Sequence, residues 1–372
     1  MKIVHFSDTH LGFSDLDVVN HDGINQREAD FYKAFSDVID AILDIKPDYV
    51  IHTGDLFHRA SPSNRAITFA LKELKRLGKD GIPLIMIAGN HSTPKTLSAS
   101  PILEAFTSQD HIQAVYSQRY EKIEFEDVIF HALPHINDPH IIDDELNKME
   151  KNIDPKKKNI LMMHCSVGSY YLMHEFGEWV YPKDKEYIFE KLDYVALGHW
   201  HGFSQVGKHT NVFYSGSTER TSSSDKRDDK GYVVVELDEK LKVFHHPVQI
   251  RKSLEFKIDA QNFETEVASL NLSEIDDALV EVKLYNLTSS TSIDITNKEI
   301  SKIFDKALYV RVKREFEIQQ DVQIEENIES VSLEGYFLSH IKGKVSDKKE
   351  AKRLLSKAKE LFAMQRDGDD TN

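Results

Sequence analysis

Seven side chains that can bind a divalent metal ion follow predicted β-strands in this sequence. The pattern is clearest at Gly54-Asp55, which comes after the apolar run Tyr49-Val50-Ile51. Such a run is typical of a buried strand, and α/β sheets place their ligands at the carboxyl ends of strands. Four further motifs repeat this arrangement, and the candidate ligands are Asp8, His10, Asp55, Asn90, His164, His199 and His201.

The donor types limit which metal ions fit. The set holds two carboxylates, one amide and four imidazoles, without a thiolate. Hard oxygen and borderline nitrogen donors suit Mn²⁺, Fe²⁺ or Mg²⁺, with Zn²⁺ an alternative, whereas soft-metal and iron–sulfur sites need sulfur. Seven ligands are too many for one ion that keeps an open position, but they suit two ions that share a carboxylate. Two such ions clamp a phosphate and activate a water, so the pattern predicts hydrolysis of a phosphoester.

The elements that would position these ligands alternate between strand and helix at the amino-terminal end. Helical periodicity at 27–43 and 62–77 lies between apolar runs at 2–7, 48–52 and 83–88. Consecutive strand–helix–strand units predict parallel strands with helices outside them. Further strand-like runs follow at 128–132, 159–163, 194–197, 211–215, 231–237 and 241–246. This order predicts an α/β fold in which two sheets form a β-sandwich flanked by helices.

The candidate ligands all lie in a predicted first domain at 1–250. The pattern of strands and helices restarts in 251–316, which is long enough for a small α+β domain. This second segment has no ligand cluster, so we expect it to cap the substrate or to serve for packing alone.

The remaining tail changes charge abruptly. Residues 314–338 carry one basic and seven acidic side chains, whereas 341–366 carry nine basic and three acidic ones. We expect an acidic linker at 317–345, an amphipathic helical arm at 346–366 and a disordered end at 367–372. The apolar stripe of the predicted arm includes Leu354, Leu355, Ala358, Leu361 and Phe362.

Composition narrows the class of protein. The 372 residues are 40% hydrophobic and 29% charged, and no apolar run approaches the length of a membrane span. The single cysteine, Cys165, suits a reducing compartment, and the amino terminus lacks the pattern of a signal peptide, so we expect a cytoplasmic protein. The net charge of −15 disfavours a simple nucleic-acid binder, and any DNA-binding surface must therefore be local.

The ordered motifs resemble those of the calcineurin-like metallophosphoesterases, and the resemblance extends from Asp8 to His201. Within that superfamily they look like the SbcD-type DNA repair nucleases, called MRE-eleven in archaea and eukaryotes. One departure is Ser92, where these nucleases commonly have Asp after Gly-Asn-His. The segments that carry the narrower resemblance are Asp8-Thr9-His10-Leu11-Gly12, Gly54-Asp55-Leu56-Phe57-His58, Gly198-His199-Trp200-His201 and Tyr214-Ser215-Gly216-Ser217.

The resemblance implies a role for each motif residue. The first metal ion would be held by Asp8, His10, Asp55 and His201. The second would be held by Asp55, Asn90, His164 and His199, so that Asp55 bridges the two ions. His91 would stabilise the transition state and help to protonate the leaving oxygen, and His58 would take part in exonuclease action or have only a structural role.

The resemblance also implies an activity and partners. Members of the SbcD-type nuclease family are Mn²⁺-dependent, with 3′ to 5′ exonuclease activity on duplex DNA and endonuclease activity on single strands and hairpins. They form homodimers and dock their carboxy-terminal arm on a coiled-coil ATPase of the SbcC/RAD-fifty type. We accordingly expect a nucleoid-associated protein that processes double-strand breaks.

The sequence predicts the residues that contact DNA or a second subunit less specifically than it predicts the metal ligands. Candidate phosphate contacts are Arg59, Arg65, Arg220, Lys226 and Arg227, and the alternative is a solvated basic surface. The helix at 62–77 has a wider apolar face than one stripe requires, which either core packing or a dimer interface explains.

Two other functions compete with a DNA nuclease. The first is a two-metal phosphodiesterase or phosphatase that acts on nucleotides or phosphoproteins, for which no arm is needed. The second is a non-enzymatic tether for DNA ends with a vestigial site, which the intact set of seven ligands disfavours.

Overall fold

The structure is a computed structural model that describes residues 1–96, 99–168, 179–222, 225, 230–316, 353–354 and 357. Met1–Glu315 form one compact unit and Phe316–Asn372 a second one. The strands are β1 Lys2–Phe6, β2 Tyr49–His52, β3 Leu84–Ile87, β4 Ile112–Val115, β5 Glu121–Glu124, β6 Val128–Leu133, β7 Lys158–His164, β8 Tyr194–Gly198, β9 Ser204–Gln205, β10 Val212–Tyr214, β11 Gly231–Leu237, β12 Leu241–Pro247, β13 Ser253–Asp259, β14 Leu279–Leu287 and β15 Tyr309–Phe316. The α-helices are α1 Gln26–Ile45, α2 Asn64–Lys79, α3 Ile142–Lys151, α4 Phe263–Ala268, α5 Ser289–Asp294 and α6 Asn297–Ile303.

Two six-stranded sheets form the larger part of the first unit. The first has the order β12-β11-β1-β2-β3-β4, in which β1 to β4 run parallel and β11 is antiparallel to both of its neighbours. The second has the order β5-β6-β7-β8-β10-β9, with β6, β7, β8 and β10 parallel. The expected α/β fold with parallel strands is therefore confirmed, whereas β4, β5 and α3 were not predicted from the sequence.

The two sheets pack face to face. Ile3, Ile51 and Ile85 of the first sheet share one buried cluster with Phe130 and Met162 of the second. Side chains on the opposite face of each sheet belong to two other clusters, which α1 and α2 cover on one side and α3 on the other. The result is the four-layer order helix, sheet, sheet, helix, in which the inner strands of each sheet are buried on both faces.

Packing within one chain accounts for the wide apolar face of α2. The Phe69 ring stacks on Tyr32 of α1 with the ring centroids 4.3 Å apart. Ile67 and Leu71 pack against the same core as the fully buried Ala70. A dimer interface on this helix stays a prediction.

The third sheet has the order β13-β14-β15 and its own hydrophobic cluster, to which Ile258, Val282 and Phe304 contribute. It occupies the segment for which the sequence predicts a small α+β domain. The boundary near residue 250 is a prediction, since residues on both sides of it belong to the unit Met1–Glu315.

A buried ion-pair network connects the third sheet to α1. Arg251, just before β13, donates from Nε and Nη2 to the two carboxylate oxygens of Asp30, at 2.9 and 2.7 Å. Arg27 donates to Asp30 at 2.7 Å and also pairs with Glu219 at 3.2 Å. Burial raises the pKa of Asp30, but hydrogen bonds from Arg251 and Gln26 outweigh it and bring that pKa below its ordinary value. The carboxylate therefore stabilises the fold at neutral pH and loses this contribution as the pH falls through its lowered pKa.

We expect Asp30→Asn to lower the free energy of unfolding by about 3 kcal/mol, because it leaves two buried guanidinium groups without their shared anion. The matched control is Asp40→Asn, which removes the exposed partner of Arg76 and should cost less than about 1 kcal/mol. Urea unfolding of both variants measures the difference. Equal effects would show that the buried network adds nothing to stability.

Candidate metal centre

The carboxyl ends of strands from both sheets meet at one edge of the sandwich. Asp8 follows β1 and Asp55 follows β2, and the loops that carry them are connected by backbone hydrogen bonds. The N–H of Asp8 donates to the carbonyl of Gly54, and that of His10 to the carbonyl of Asp55, both at 3.0 Å. Backbone hydrogen bonds thus fix the two ligand-bearing loops to each other.

The first group of ligands comprises Asp8, His10 and His201, whose donor atoms lie within 4.8 Å of one another. The Nε2 atoms of His10 and His201 are 3.1 Å apart, and Asp8 Oδ1 lies 3.8 Å from His201 Nε2. Burial lowers the pKa of both His10 and His201, which keeps each ring in the neutral form that binds metals.

The second group comprises Asp55, Asn90 and His164. His164 Nε2 lies 3.3 Å from Asp55 Oδ2 and 2.9 Å from Asn90 Oδ1. The other ring nitrogen, Nδ1, donates to the carbonyl of Thr53 at 2.8 Å, so the ring is oriented with Nε2 toward the carboxylate. Asp55 also accepts a hydrogen bond from the N–H of His91 at 2.9 Å.

His199 lies between the two groups. Its N–H donates to Asp8 at 3.0 Å, and its ring centroid is 5.2 Å from that of His164. The structure therefore brings all seven sequence-predicted ligands together at one edge of the sandwich.

Four of these ligands have strained backbone conformations. Their φ angles are positive, at 51° for Asp8, 41° for His10, 54° for Asp55 and 92° for His199. Residues with a side chain rarely adopt this region, and such strain persists only where the surrounding structure enforces it. Its concentration at one edge of the sheets is what a functional site would show.

Glycines let the ligand loops approach each other closely. A Cβ atom on Gly54 would collide with the ring of His164, and one on Gly89 would collide with the carboxylate of Asp55. The glycine before each of these ligands, Asp55 and Asn90, is therefore needed to bring the two loops into contact.

The donor geometry fits divalent cations. Ligands that share a cation at about 2.1 Å lie roughly 3.0 to 3.4 Å apart, which is the spacing of several donor pairs in this site. Burial lowers the pKa of His164, but the Asp55 carboxylate beside it more than compensates and raises that pKa to about 9. A positive charge is thus favoured between His164 and Asp55. In addition, the buried Nδ1 of His10 lacks a hydrogen-bond partner among the described residues.

His91 and His58 lie beside the first group. His91 Nδ1 donates to the carbonyl of His58 at 2.8 Å, which directs its Nε2 away from that loop. The two rings stack with their centroids 5.3 Å apart, and the His10 ring lies 5.0 Å from that of His91. Burial and the neighbouring His91 lower the pKa of His58 to about 4.

Two residues that support His201 were not recognised from the sequence. Thr221 Oγ1 lies 3.0 Å from His201 Nδ1, and the fully buried Lys230 donates to the carbonyl of His201 at 2.7 Å. Another residue that was not recognised, His135, follows β6. Its N–H donates to the carbonyl of Ala88, and burial and the nearby His164 lower its pKa to about 4. His135 follows a predicted strand, and this position could have identified it from the sequence. No sequence pattern identifies Thr221 or Lys230 as a support of His201.

We expect Thr221→Val to weaken Mn²⁺ binding by roughly 10- to 100-fold, because residues that orient a metal-binding imidazole have effects of this size. Valine keeps the shape of threonine but removes the oxygen that accepts from His201 Nδ1. Thr221→Ser is the matched control and should bind Mn²⁺ as the wild type does. Calorimetric titration decides, and equal affinities for the valine variant and the wild type would contradict the assignment.

The candidate DNA contacts differ in exposure. Arg59 is exposed, and Arg65 is half exposed in a 3.4 Å pair with Glu28. Arg220 is 4% exposed and donates to the carbonyl of Arg251 at 2.8 Å, so it faces the interior. Lys226 and Arg227 lie outside the described residues. Within the predicted arm, the exposed Leu354 is described, while Leu355, Ala358, Leu361 and Phe362 lie outside the described residues.

Buried carboxylates and imidazoles at the strand ends of a two-sheet sandwich define a metal-dependent phosphoester hydrolase. The family model for calcineurin-like phosphoesterases matches residues 1–203. The chain belongs to this family, which confirms the resemblance expected from the sequence motifs. The described helices include none long and apolar enough to cross a membrane.

Individual relatives extend the similarity beyond the matched domain. The chain is 27% identical to the DNA double-strand break repair protein Mre11 of Thermoplasma acidophilum over 91% of its own length and 89% of the relative's. It is also 27% identical to the Mre11 protein of Methanococcus maripaludis, over 93% and 92% of the two chains. The Mre11 protein of Sulfurisphaera tokodaii is 35% identical over 54% of this chain and 49% of the relative.

Proposed function

We propose that this chain is a DNA nuclease that processes double-strand breaks. The observation that carries the proposal is the similarity to Mre11 repair proteins over about nine-tenths of both chains. Similarity of this extent includes the third sheet, and it therefore goes beyond the 1–203 segment matched by the general phosphoesterase model.

The proposed centre holds two divalent ions. Asp8, His10, Asp55 and His201 would bind one of them, and Asp55, Asn90, His164 and His199 the other. When bound, such ions activate the attacking water and neutralise charge on the phosphate. The hard and borderline donors support Mn²⁺ as the ion.

The protein's own side chains have the remaining tasks. His91 stands beside both ligand groups, with its N–H on Asp55 and its ring near His10, and would give a proton to the leaving oxygen. His58 stacks on His91 and would hold that ring in place or contact the strand. Gly54, Thr53 and Thr221 fix the loops and imidazoles of the proposed metal centre.

The wider assignment rests on the resemblance of the sequence motifs to those of the SbcD-type nucleases. We propose 3′ to 5′ exonuclease activity on duplex DNA and endonuclease activity on single strands and hairpins. We also propose homodimerisation, a nucleoid-associated place in the cytoplasm, and an SbcC/RAD-fifty-type ATPase that binds the basic arm at 346–366. Of that segment, the structure describes 353–354 and 357.

Cleavage of end-labelled duplex and hairpin DNA by the purified protein with Mn²⁺ tests the proposal. The expected result is shortening of the duplex and opening of the hairpin, both abolished by a chelator and restored by added Mn²⁺. Hydrolysis of p-nitrophenyl phosphate without DNA cleavage would instead identify a phosphatase and overturn the proposal.

A further inference from the structure

A cavity of about 100 Å³ lies beside the metal centre, between the loop after β1 and the third sheet. Its walls come from Phe13 and Leu16 on one side and from Leu254, Leu279 and Tyr309 on the other. The space has room for one ring system, but it is far too small for a duplex.

Two residues that line the cavity also contact histidines at or beside the metal centre. The Phe13 ring meets the His58 ring edge-on with the centroids 4.9 Å apart. Thr221 Oγ1 is 3.0 Å from Nδ1 of the predicted ligand His201. A group in the cavity would therefore be separated from the metal centre by one side chain, which is the position of a nucleotide next to the scissile phosphate.

The third sheet turns one of its two faces toward this cavity. Ser253 pairs with Leu279 and Glu255 with Glu281 across β13 and β14, and all four line the cavity. The next alternating side chains along the strands, Phe256 and Val282, belong to the hydrophobic cluster on the other face, to which Leu254 and Val280 at the edge of the cavity also contribute. The cavity face is thus a mixed apolar and polar surface, and most of the residues that form it lie outside the core of the sheet.

The charges around the cavity balance. Asp15, Glu255 and Glu281 oppose the guanidinium groups of Arg27, Arg220 and Arg311. Several are already in ion pairs, as Arg311 is with Asp15 at 3.5 Å and Arg27 with Glu219 at 3.2 Å. A balanced surface with three carboxylates is unsuited to a phosphate, whereas a base has no charge and its amino groups can donate to carboxylates.

We propose that this cavity binds the base of a nucleotide adjoining the scissile phosphate, with the Tyr309 ring as a stacking surface. The inference rests on the proposed DNA nuclease function. Binding of one base outside the stack would place the neighbouring phosphate at the metal centre, and it would favour DNA whose end is frayed or unpaired.

The test combines variants with abasic substrates. Single-stranded DNA with one abasic nucleotide, moved stepwise across the cleavage position, is compared with intact DNA in the presence of Mn²⁺. For the wild type, kcat/KM should fall by about tenfold at one position adjoining the cleaved bond, because that DNA lacks the base that stacks in the cavity. The ratio of intact to abasic DNA is measured for each variant, so a general change in activity cancels.

In Tyr309→Ala the ratio of intact to abasic DNA should fall most of the way to one, because the base then loses its stacking contact in the cavity. Ser253→Trp is a second variant, in which a large side chain at an exposed position fills the cavity and the core residues stay unchanged. The matched control is Tyr285→Ala on the same sheet, outside the cavity lining, and it should keep the ratio of the wild type.

Different failures point to different conclusions. Absence of cleavage of intact DNA by the wild type would overturn the proposed function and this inference with it. Cleavage with no position-dependent loss on abasic DNA would overturn the base site alone. An unchanged ratio in both Tyr309→Ala and Ser253→Trp would likewise remove the cavity as the place where the base binds.

Discussion

Asp55→Asn is expected to abolish binding of both metal ions and to lower DNA cleavage by at least about a thousandfold. Asp55 is 2% exposed, and its carboxylate lies within 4.8 Å of donor atoms of both Asp8 and His164, with Oδ2 3.3 Å from His164 Nε2. An amide oxygen has no full negative charge to share between two cations. Loss of the bridging charge should therefore empty the two sites together.

The substitution is conservative for the backbone. Asp55 has a φ of 54°, and asparagine adopts this left-handed region more readily than most residues. The variant should consequently fold, and a loss of metal would come from the missing charge. Elemental analysis and Mn²⁺ calorimetry give the stoichiometry, with the exposed Asp40→Asn as the matched control. Two bound ions in Asp55→Asn would show that this carboxylate does not bridge them.

The positions of the ligands were predictable because they depend on a local rule. Asp8, Asp55 and His164 each follow or end an apolar run that forms a strand, and parallel strands bring their carboxyl ends to one edge of a sheet. Strand periodicity and residue type are both visible in the sequence. The fold class followed from the same alternation of strands and helices.

The supports of the site were not predictable because they depend on long-range packing. The hydrogen bonds from Arg251 to Asp30 join residues 221 positions apart, and nothing near either residue identifies the other. Thr221 and Lys230 surround His201 only once the chain has folded. The hydrogen bond from the N–H of Asp8 to the carbonyl of Gly54 likewise joins two loops that are distant in the sequence.

His91→Ala separates catalysis from metal binding. His91 is not in the proposed ligand set, and the hydrogen bond that it gives to Asp55 comes from its backbone N–H, which alanine retains. We therefore expect Mn²⁺ stoichiometry to match that of the wild type. The cleavage rate should fall by roughly 10²- to 10⁴-fold, the usual contribution of a positioned proton donor.

A second substitution distinguishes proton donation from positioning. His91→Gln keeps a polar side chain of similar reach but has no proton to give, so it should be as slow as His91→Ala on an ordinary phosphodiester. The exposed His140→Ala is the matched control and should leave cleavage unchanged. A substrate whose leaving group needs no protonation, such as a p-nitrophenyl phosphodiester, should recover most of the lost rate in both His91 variants. Equal losses on the two kinds of substrate would mean that His91 stabilises charge on the phosphate and does not protonate the leaving oxygen.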